Sequence, residues 1–260
     1  MGLAMIDCAS PPPIATAKKW RERGFEVLNV YVGGPGATEI WPDDTTPFRD
    51  LGFRLTATYV PEQGARLLPA GGDAAGDALA CLEAHGMAGC PLFGDVEEAS
   101  YEANTDGART WARTFVGRLA GHHRGPYGPP AMLGQLGDLE HDARATIWAA
   151  SWLEDSGILP PAQTSTARIP GLSDGLFRGR RAWQYAGDID LDGHLVDLSV
   201  IDATVFAAAP VSDRTRLRDL LDDLTAAHQR VTFGIAPACQ EALADLTRAI
   251  DATRALIAAE

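Results

Sequence analysis

The segment Pro91-Leu92-Phe93-Gly94-Asp95-Val96-Glu97 is a short apolar run that ends in two carboxylates one residue apart. Apolar runs of this length between turn residues are typical of buried strands. If the strand continues to its last residue, period-two alternation places Asp95 and Glu97 on one face, about 6.5–7 Å apart at their Cα atoms. The pair alone is weak evidence for a site, because an exposed pair of carboxylates in a loop has the same sequence.

Similar β-rich runs recur along the first two hundred residues and alternate with helical stretches. The spacing predicts strands at residues 2–7, 26–32, 54–60, 91–97, 129–134, 146–152, 181–186 and 194–201. It predicts helices at residues 10–23, 44–50, 73–85 and 107–120. This β-α-β-α order predicts a parallel sheet with crossover helices. About eight strands in roughly 205 residues favour an α/β fold of the (β/α)8 TIM-like barrel type over an open doubly wound sheet.

Two other predicted strands also lead to a carboxylate. Asp7 ends the first run, and Asp197 lies within Leu195-Val196-Asp197-Leu198. In a β/α barrel the C-terminal strand ends hold the active site, so we expect these side chains to meet Asp95 and Glu97 in the barrel mouth. Carboxylates held close together push their pKa values apart, which is the arrangement that acid/base hydrolysis of a glycosidic bond requires.

Aromatic side chains accompany these strand ends. Tyr31 and Tyr59 end predicted strands, and Trp148 and Trp152 lie in a third. An acidic and aromatic cleft suits a sugar, whose C–H faces stack on rings while its hydroxyl groups bind carboxylates. A tryptophan in a strand is also a common core residue. Trp148 fits either position, and for Trp183 the core is the better interpretation.

The composition excludes several classes of protein. The chain has 260 residues, 46% of them hydrophobic and 22% charged, which is typical of a soluble globular domain. Its net charge is −13, with 35 acidic and 22 basic residues, so a nucleic-acid partner is not expected. No apolar run has the length of a membrane span. The N-terminal run lacks the basic start of a signal peptide, which predicts a cytoplasmic protein or one released by lysis, a phage or a secretion machine.

Other motifs do not predict a cofactor or a metal. Residues 188–193 copy the start of a calcium loop, but the twelfth position is Ser199 rather than Glu, so a surface turn is the better interpretation. Residues 33–36 follow a strand as a phosphate loop would, yet they lack the GK[ST] sequence and favour a sharp turn. The four cysteines show no CxxC spacing and are expected to be small buried residues, with a Cys81–Cys90 pair left open.

Residues 211–260 differ from the rest of the chain. Apolar residues follow a heptad-like 4-3 spacing on both sides of a break near Gly234 and Pro237. This pattern predicts a helical appendage to a barrel domain at residues 1–210. The helices either pack back on the barrel or serve a protein partner or self-association, and each run is short for a true coiled coil.

Six segments together resemble a known group of proteins. They are Gly2–Asp7, Tyr31–Pro35, Phe93–Glu97, Ile147–Trp152, Trp183–Tyr185 and Val196–Leu198. Their order is similar to that in glycoside-hydrolase-like barrels catalogued as a domain of unknown function. Those barrels are in turn similar to the family 25 lysozymes, which cleave peptidoglycan between N-acetylmuramic acid and N-acetylglucosamine. The resemblance covers roughly residues 3–207 and implies a TIM-like barrel that acts on a cell-wall glycan.

The resemblance also implies roles for particular residues. Glu97 would be the general acid, and Asp95 would stabilise the positively charged transition state or orient an N-acetyl group. Asp7 and Asp197 would complete an acidic floor. The side chains implied to bind substrate are Tyr31, Tyr59, Trp148, Trp152 and Gln184. One departure from the group is Gly94, which stands where a bulky aromatic is common and would widen the floor beside Asp95.

These observations predict a lysozyme-like or endolysin-like hydrolase of cell-wall peptidoglycan that needs no cofactor. The alternative is a non-catalytic barrel that binds a glycan or serves as a structural part. Such a barrel would dock on a larger assembly, for example a phage tail or a contractile injection system. Fold similarity does not transfer chemistry by itself, so the two hypotheses remain open at this point.

Overall fold

The computed structural model describes residues 2–37, 41–62, 71–97, 105–119, 122–153 and 165–207. Within these ranges eight strands form a closed barrel in chain order, with helices in the connections. The predicted α/β, TIM-like barrel is therefore confirmed. The predicted helical appendage at residues 211–260 lies outside the described residues, so the domain boundary at residue 210 stays a prediction.

The strands of the barrel are short at the centre of the chain and longest at its end. They are β1 (Gly2–Asp7), β2 (Val27–Gly33), β3 (Arg54–Tyr59), β4 (Leu92–Asp95), β5 (Arg124–Gly128), β6 (Ile147–Ala150), β7 (Arg181–Leu191) and β8 (His194–Asp202). The helices are α1 (Ile14–Glu22), α2 (Thr46–Asp50), α3 (Gly71–Ala84), α4 (Thr105–Arg118) and α5 (Pro130–Leu133), with 3₁₀ turns at Gly137–Leu139 and Ala203–Phe206. None of the helices in the described ranges is long and apolar enough to cross a membrane.

The fifth strand differs from its prediction. Residues 129–134 were expected to form it, but β5 is Arg124–Gly128 and the expected segment contains the short helix α5. Gly and Pro lower the strand propensity of 124–128, yet parallel pairing with β4 and β6 overrides that preference. Gly125 is required for the close pairing of β5 with the chain that leads into β6, because a Cβ there would lie 1.7 Å from the carbonyl oxygen of Thr146.

The last strand closes the barrel in the opposite direction. β8 is antiparallel to both β7 and β1, whereas the sequence predicted a wholly parallel sheet. The reversal occurs at Asp192-Gly193, whose φ angles of 58° and 82° fit the left-handed turn that joins a tight hairpin. Residues 188–193 are therefore part of a β-hairpin. A tight turn can join only antiparallel neighbours, because parallel neighbours need a long crossover connection such as a helix. The short connection therefore sets the direction of β8.

Alternation along the strands divides the core into two clusters. One fills the inside of the barrel, with Met5, Phe93 and Trp148 among its buried members. The other lies between the barrel and its helices and includes Trp20 and Phe115. Cys8, Cys81 and Cys90 are free thiols, so the pair considered for Cys81 and Cys90 is not formed.

A sharp turn follows β2, as the sequence predicted. Gly34 has a φ of 111°, and a Cβ on it would lie 2.1 Å from the carbonyl oxygen of Val60. Only glycine fits both the backbone angle and the close approach.

Candidate active site

Asp7 ends β1 inside the barrel mouth and is only 2% exposed. Asn29 Nδ2 donates to its Oδ1 at 3.0 Å, and the Tyr31 hydroxyl donates to its Oδ2 at 3.1 Å. Burial first, then the charges of Asp197 and Asp95, raises the pKa of Asp7 to about 8, against the effect of these two hydrogen bonds. Asp7 is therefore largely protonated at neutral pH.

Asn29 is itself held by β3. The hydroxyls of Thr56 and Thr58 donate to its Oδ1 at 2.9 and 3.1 Å, so its Nδ2 is left to face Asp7. The sequence analysis did not select Asn29. The signal was present, because Asn29 is a polar residue in an otherwise apolar strand and lies two positions before Tyr31.

Asp197 lies directly opposite Asp7 across the β1–β8 pairing. Gln184 Nε2 donates to its Oδ2 at 2.6 Å, and the backbone N–H of Asp188 donates to its Oδ1 at 2.9 Å. Burial raises the pKa of Asp197, and these two donors oppose the rise. Because β8 runs antiparallel, a residue within the strand rather than at its end reaches the mouth.

Asp95 and Glu97 occupy the end of β4, but only Asp95 belongs to the strand. The backbone N–H of Glu97 donates to Asp95 Oδ1 at 3.0 Å, which turns the chain at this point. The prediction that strand alternation aligns the two side chains is therefore wrong, because the chain leaves the strand in a turn between them. We call Asp7, Asp95, Glu97 and Asp197 the carboxylate cluster.

Tyr127 of β5 joins the cluster to Gln184 of β7. Its hydroxyl oxygen lies 2.9 Å from Glu97 Oε2 and 2.6 Å from Gln184 Oε1. Burial, followed by the charges of Glu97 and Asp95, holds the pKa of Tyr127 well above its usual value of 10, so the phenol keeps its proton. Sequence reasoning missed Tyr127 because the strand that carries it was placed five residues too late.

Trp152 is the exposed aromatic beside these groups, with 55% of its surface accessible. Its indole Nε1 donates to Gln184 Oε1 at 3.4 Å. The ring rests against the backbone of Gly187, where a Cβ would lie 2.4 Å from a ring carbon. The side chain thus presents a flat apolar surface next to the carboxylate cluster.

Comparison with known proteins supports the architecture. No family model matches the chain, and no curated protein matches it. Among solved structures, an uncharacterized B. stearothermophilus protein is 20% identical with a TM-score of 0.59, over 78% of this chain and 98% of that one. The catalytic domain of endolysin ply40, from bacteriophage P40 of Listeria monocytogenes, is 13% identical with a TM-score of 0.53, over 79% and 96%. A muramidase from Acremonium alcalophilum is 17% identical with a TM-score of 0.50, over 78% and 96%.

The chain has a lysozyme-like fold. At these identities the likeness shows the fold alone. The closer resemblance to barrels catalogued as a domain of unknown function stays a prediction.

The lysozyme-like barrel does not bring every predicted aromatic to its mouth. Tyr59 follows the inward-facing Thr58 and so points outward, where it packs on Phe115 of α4 with ring centroids 6.4 Å apart. Trp148 points inward but is 1% exposed in the barrel interior, 4.6 Å from the Tyr127 ring and 5.3 Å from that of Phe93. Neither side chain has a surface on which a sugar ring can stack.

Gly94 also faces away from the cleft. A Cβ at this position would lie 2.4 Å from Trp111 and 3.2 Å from Phe115, both on α4. The expectation that Gly94 widens the floor beside Asp95 is therefore wrong, because its missing side chain makes room for a helix outside the barrel.

The lysozyme-like barrel contains no group of three or more His, Cys, Asp or Glu side chains placed to hold a metal ion, within the described part of the chain. The carboxyl groups of the carboxylate cluster can transfer protons and stabilise positive charge.

Proposed function

We propose that this lysozyme-like barrel hydrolyses the glycan of cell-wall peptidoglycan by carboxylate acid/base catalysis. The observation that carries the proposal is the pairing of Asp95 and Glu97 at the barrel mouth, with Asp7 and Asp197 beside them. A general acid and a second carboxylate flanking one bond are the parts that glycoside hydrolysis requires. The Ply40 endolysin domain and the Acremonium muramidase share the fold, which favours this substrate class.

Glu97 is the proposed general acid. Its carboxyl group follows β4 at the mouth and is partly accessible, as proton donation to a glycosidic oxygen requires. Asp95 accepts the backbone N–H of Glu97, so its carboxylate lies beside the residue that carries the acid. Asp95 would stabilise the positive charge of the transition state or orient an N-acetyl group of the substrate.

Asp7 and Asp197 form the floor of the site in this proposal. Asp7 is protonated near neutral pH, so it adds a neutral polar group rather than a further negative charge. Repulsion within the carboxylate cluster is lower as a result. Asp197 is held by Gln184 and Asp188 and supports the other side of the floor.

Substrate contact is assigned to Trp152 and Tyr31. The exposed indole of Trp152 offers the apolar face on which a sugar ring stacks. The Tyr31 ring is half-buried, and its hydroxyl contacts Asp7. Gln184 is fully buried, and its predicted contact with substrate is not part of this proposal.

The test is digestion of purified peptidoglycan with analysis of the products. Wild-type protein is expected to release fragments with new reducing ends, and Glu97→Gln is expected to lose activity by about 100-fold or more because its amide cannot donate the proton. Glu83→Gln, an exposed glutamate on α3, is the matched control and is expected to retain full activity.

Two results would contradict the proposal. Full activity in Glu97→Gln would exclude Glu97 as the acid. Binding of the glycan without any digestion by the wild type would favour the alternative, a non-catalytic barrel that carries a glycan-binding or structural role in a larger assembly.

A further inference from the structure

Three oxygen atoms lie in a row beside the carboxylate cluster. Glu97 Oε2, the Tyr127 hydroxyl oxygen and Gln184 Oε1 are separated by 2.9 and 2.6 Å. Both gaps are hydrogen-bond distances, so each needs a proton between its two oxygens. The phenol of Tyr127 has one proton, and the amide oxygen of Gln184 has none. If the Tyr127 proton is directed to Gln184, the second proton belongs to the Glu97 carboxyl group.

The direction of the row depends on which end of the Gln184 amide faces Tyr127. The indole N–H of Trp152 can only donate, and its position 3.4 Å from Oε1 fits an oxygen there. The other end, Nε2, donates to Asp197 at 2.6 Å. The amide is thus fixed from both sides, with its oxygen toward Tyr127.

Asp197 anchors the far end of the row. Both of its oxygens accept hydrogen bonds, one from Gln184 and one from the backbone N–H of Asp188. The amide nitrogen of Gln184 is the donor to one of these oxygens, so it faces Asp197. This arrangement prevents the amide from turning its nitrogen toward Tyr127.

We propose that a one-directional hydrogen-bond chain through Tyr127 and Gln184 keeps the Glu97 carboxyl protonated and aimed for proton donation. The assignment rests on the proposed role of Glu97 as general acid and adds two positioning residues to it. Glu97 donates to Tyr127, Tyr127 donates to Gln184, and Gln184 donates to Asp197. We call this series the Tyr127–Gln184 chain.

The surrounding charges act in the same direction. The ionisable groups that face Glu97 and Tyr127 in the described part of the barrel are Asp95 of β4, Asp7 of β1, Tyr31 of β2 and Asp197 of β8. Asp95 and Asp197 can each place a negative charge in this group, whereas raised pKa values keep Asp7 and Tyr31 largely neutral near pH 7. A negative charge beside Glu97 favours its neutral form, as the Tyr127–Gln184 chain does.

The Tyr127–Gln184 chain neither gives an atom to the reaction nor takes one from it. When Glu97 gives its proton to the glycosidic oxygen, the C–O bond breaks and its electron pair stays on that oxygen. Water completes the hydrolysis by bonding through its oxygen to the anomeric carbon and releasing a proton, which restores the Glu97 carboxyl group. Tyr127 keeps its own proton throughout. Tyr127 and Gln184 therefore position the acid and take no part in the bond that breaks.

The experiment follows the titration of the Glu97 carboxyl carbon by NMR in protein labelled with ¹³C-glutamate, with Glu97→Gln identifying the signal. Gln184→Met removes the acceptor that holds the Tyr127 proton, so this proton turns to Glu97 and stabilises the carboxylate. The titration midpoint is expected to fall by about one pH unit. The alkaline limb of the peptidoglycan digestion profile is expected to fall by the same amount.

A Tyr127→Phe background separates the chain from other effects of the substitution. Without the phenol there is no proton to redirect, so Gln184→Met is expected to leave the midpoint unchanged in that background. Tyr185→Phe is the matched control, because Tyr185 is a buried tyrosine of the same strand as Gln184 that faces the helices. It is expected to leave the Glu97 titration unchanged.

Several outcomes would overturn the proposal. One is a Glu97 titration midpoint that stays unchanged or rises in Gln184→Met. Another is a midpoint that Gln184→Met lowers by the same amount with and without the Tyr127 hydroxyl. If Gln184→Met does not fold, the infrared difference between wild type and Glu97→Gln at neutral pH gives a second measurement. The wild type is expected to show the C=O band of a protonated carboxyl group, which Glu97→Gln lacks. If Glu97→Gln instead lost only a carboxylate band, the result would contradict the Tyr127–Gln184 chain.

The two proposals fail separately. Neither the NMR titration nor the infrared difference uses a glycan. A wild-type protein with the expected titration but no digestion would overturn the proposed function only. An active protein whose Glu97 titration ignores Gln184 would overturn the Tyr127–Gln184 chain only.

Discussion

At the residue scale, Asp7 shows how the barrel changes the chemistry of a side chain. An aspartate in water titrates near pH 4. In the barrel mouth its carboxyl group is 2% exposed and faces two other acids, and its pKa rises to about 8. The hydrogen bonds from Asn29 and Tyr31 orient the group but do not offset its burial. Ionisation of Asp7 therefore destabilises the folded protein.

This destabilisation predicts a pH-dependent effect of Asp7→Asn on stability. The folded pKa lies above the unfolded one, so the stability that Asp7 contributes is fully present below about pH 4 and is lost as pH rises to about 8. Asn cannot ionise and escapes this loss. Relative to wild type, the variant is expected to gain on the order of a few kcal/mol between these pH values and nothing further above them.

The measurement is the free energy of unfolding in urea at a series of pH values. Asp50→Asn, which removes one negative charge from the exposed end of α2, is the control. A constant difference between wild type and Asp7→Asn across the whole range would show that Asp7 does not titrate as described.

At the scale of elements, the contact between β4 and α4 positions the site. Gly94 lies between Phe93, which fills the barrel interior, and Asp95, which reaches the mouth. Its missing side chain lets the rings of Trp111 and Phe115 pack on the strand, with the two ring centroids 4.5 Å apart. The helix therefore supports the strand that carries Asp95 and leads into Glu97.

Gly94→Ala is expected to destabilise the protein. The new Cβ would lie 2.4 Å from Trp111, so the helix or the strand must shift, at a cost of about 1–3 kcal/mol. Gly76→Ala is the matched control, because Gly76 lies within α3 with nothing inside 4 Å of the new Cβ. There alanine is expected to add about 0.5–1 kcal/mol through its better helix propensity.

Urea unfolding of the two variants distinguishes these effects by sign. The same change in the free energy of unfolding at both positions would contradict the packing argument for Gly94.

At the scale of the whole molecule, the net charge of −13 bears on the encounter with substrate. Residues 1–210 contain 27 acidic and 16 basic side chains, which leaves −11 on this part of the chain. If the substrate is an anionic cell wall, charges of the same sign slow the approach. Salt screens this repulsion, since the Debye length falls from about 30 Å at 0.01 M to about 8 Å at 0.15 M ionic strength.

Digestion of intact walls is therefore expected to speed up with salt. From about 10 mM to about 150 mM NaCl, kcat/KM should rise roughly two- to tenfold. Walls from which the anionic polymers have been extracted provide the matched substrate and should show a smaller rise. A rate that falls with salt on both substrates would indicate a positively charged binding surface and contradict the argument.

Local patterns in the sequence determined the alternation of strands and helices, the barrel class and the three strands that carry carboxylates. These features depend on hydrophobic period, turn residues and chain order, all of which are short-range properties. Asp7, Asp95, Glu97 and Asp197 could be selected because each stands in or next to an apolar run. Trp152, which is exposed, and Tyr31, which is half-buried, lie near the cluster, and their predicted role in substrate binding stays a prediction.

Only the tertiary structure decided which side chains meet. The antiparallel β8 brings Asp197 level with Asp7, and the pairing of β5 between β4 and β6 brings Tyr127 to Glu97. Trp148 is buried inside the barrel and Tyr59 between the barrel and its helices, so neither is exposed beside the carboxylate cluster. A sequence lists donors and acceptors but not their distances, whereas protonation and burial depend on contacts between residues far apart in the chain, such as Tyr127 and Gln184.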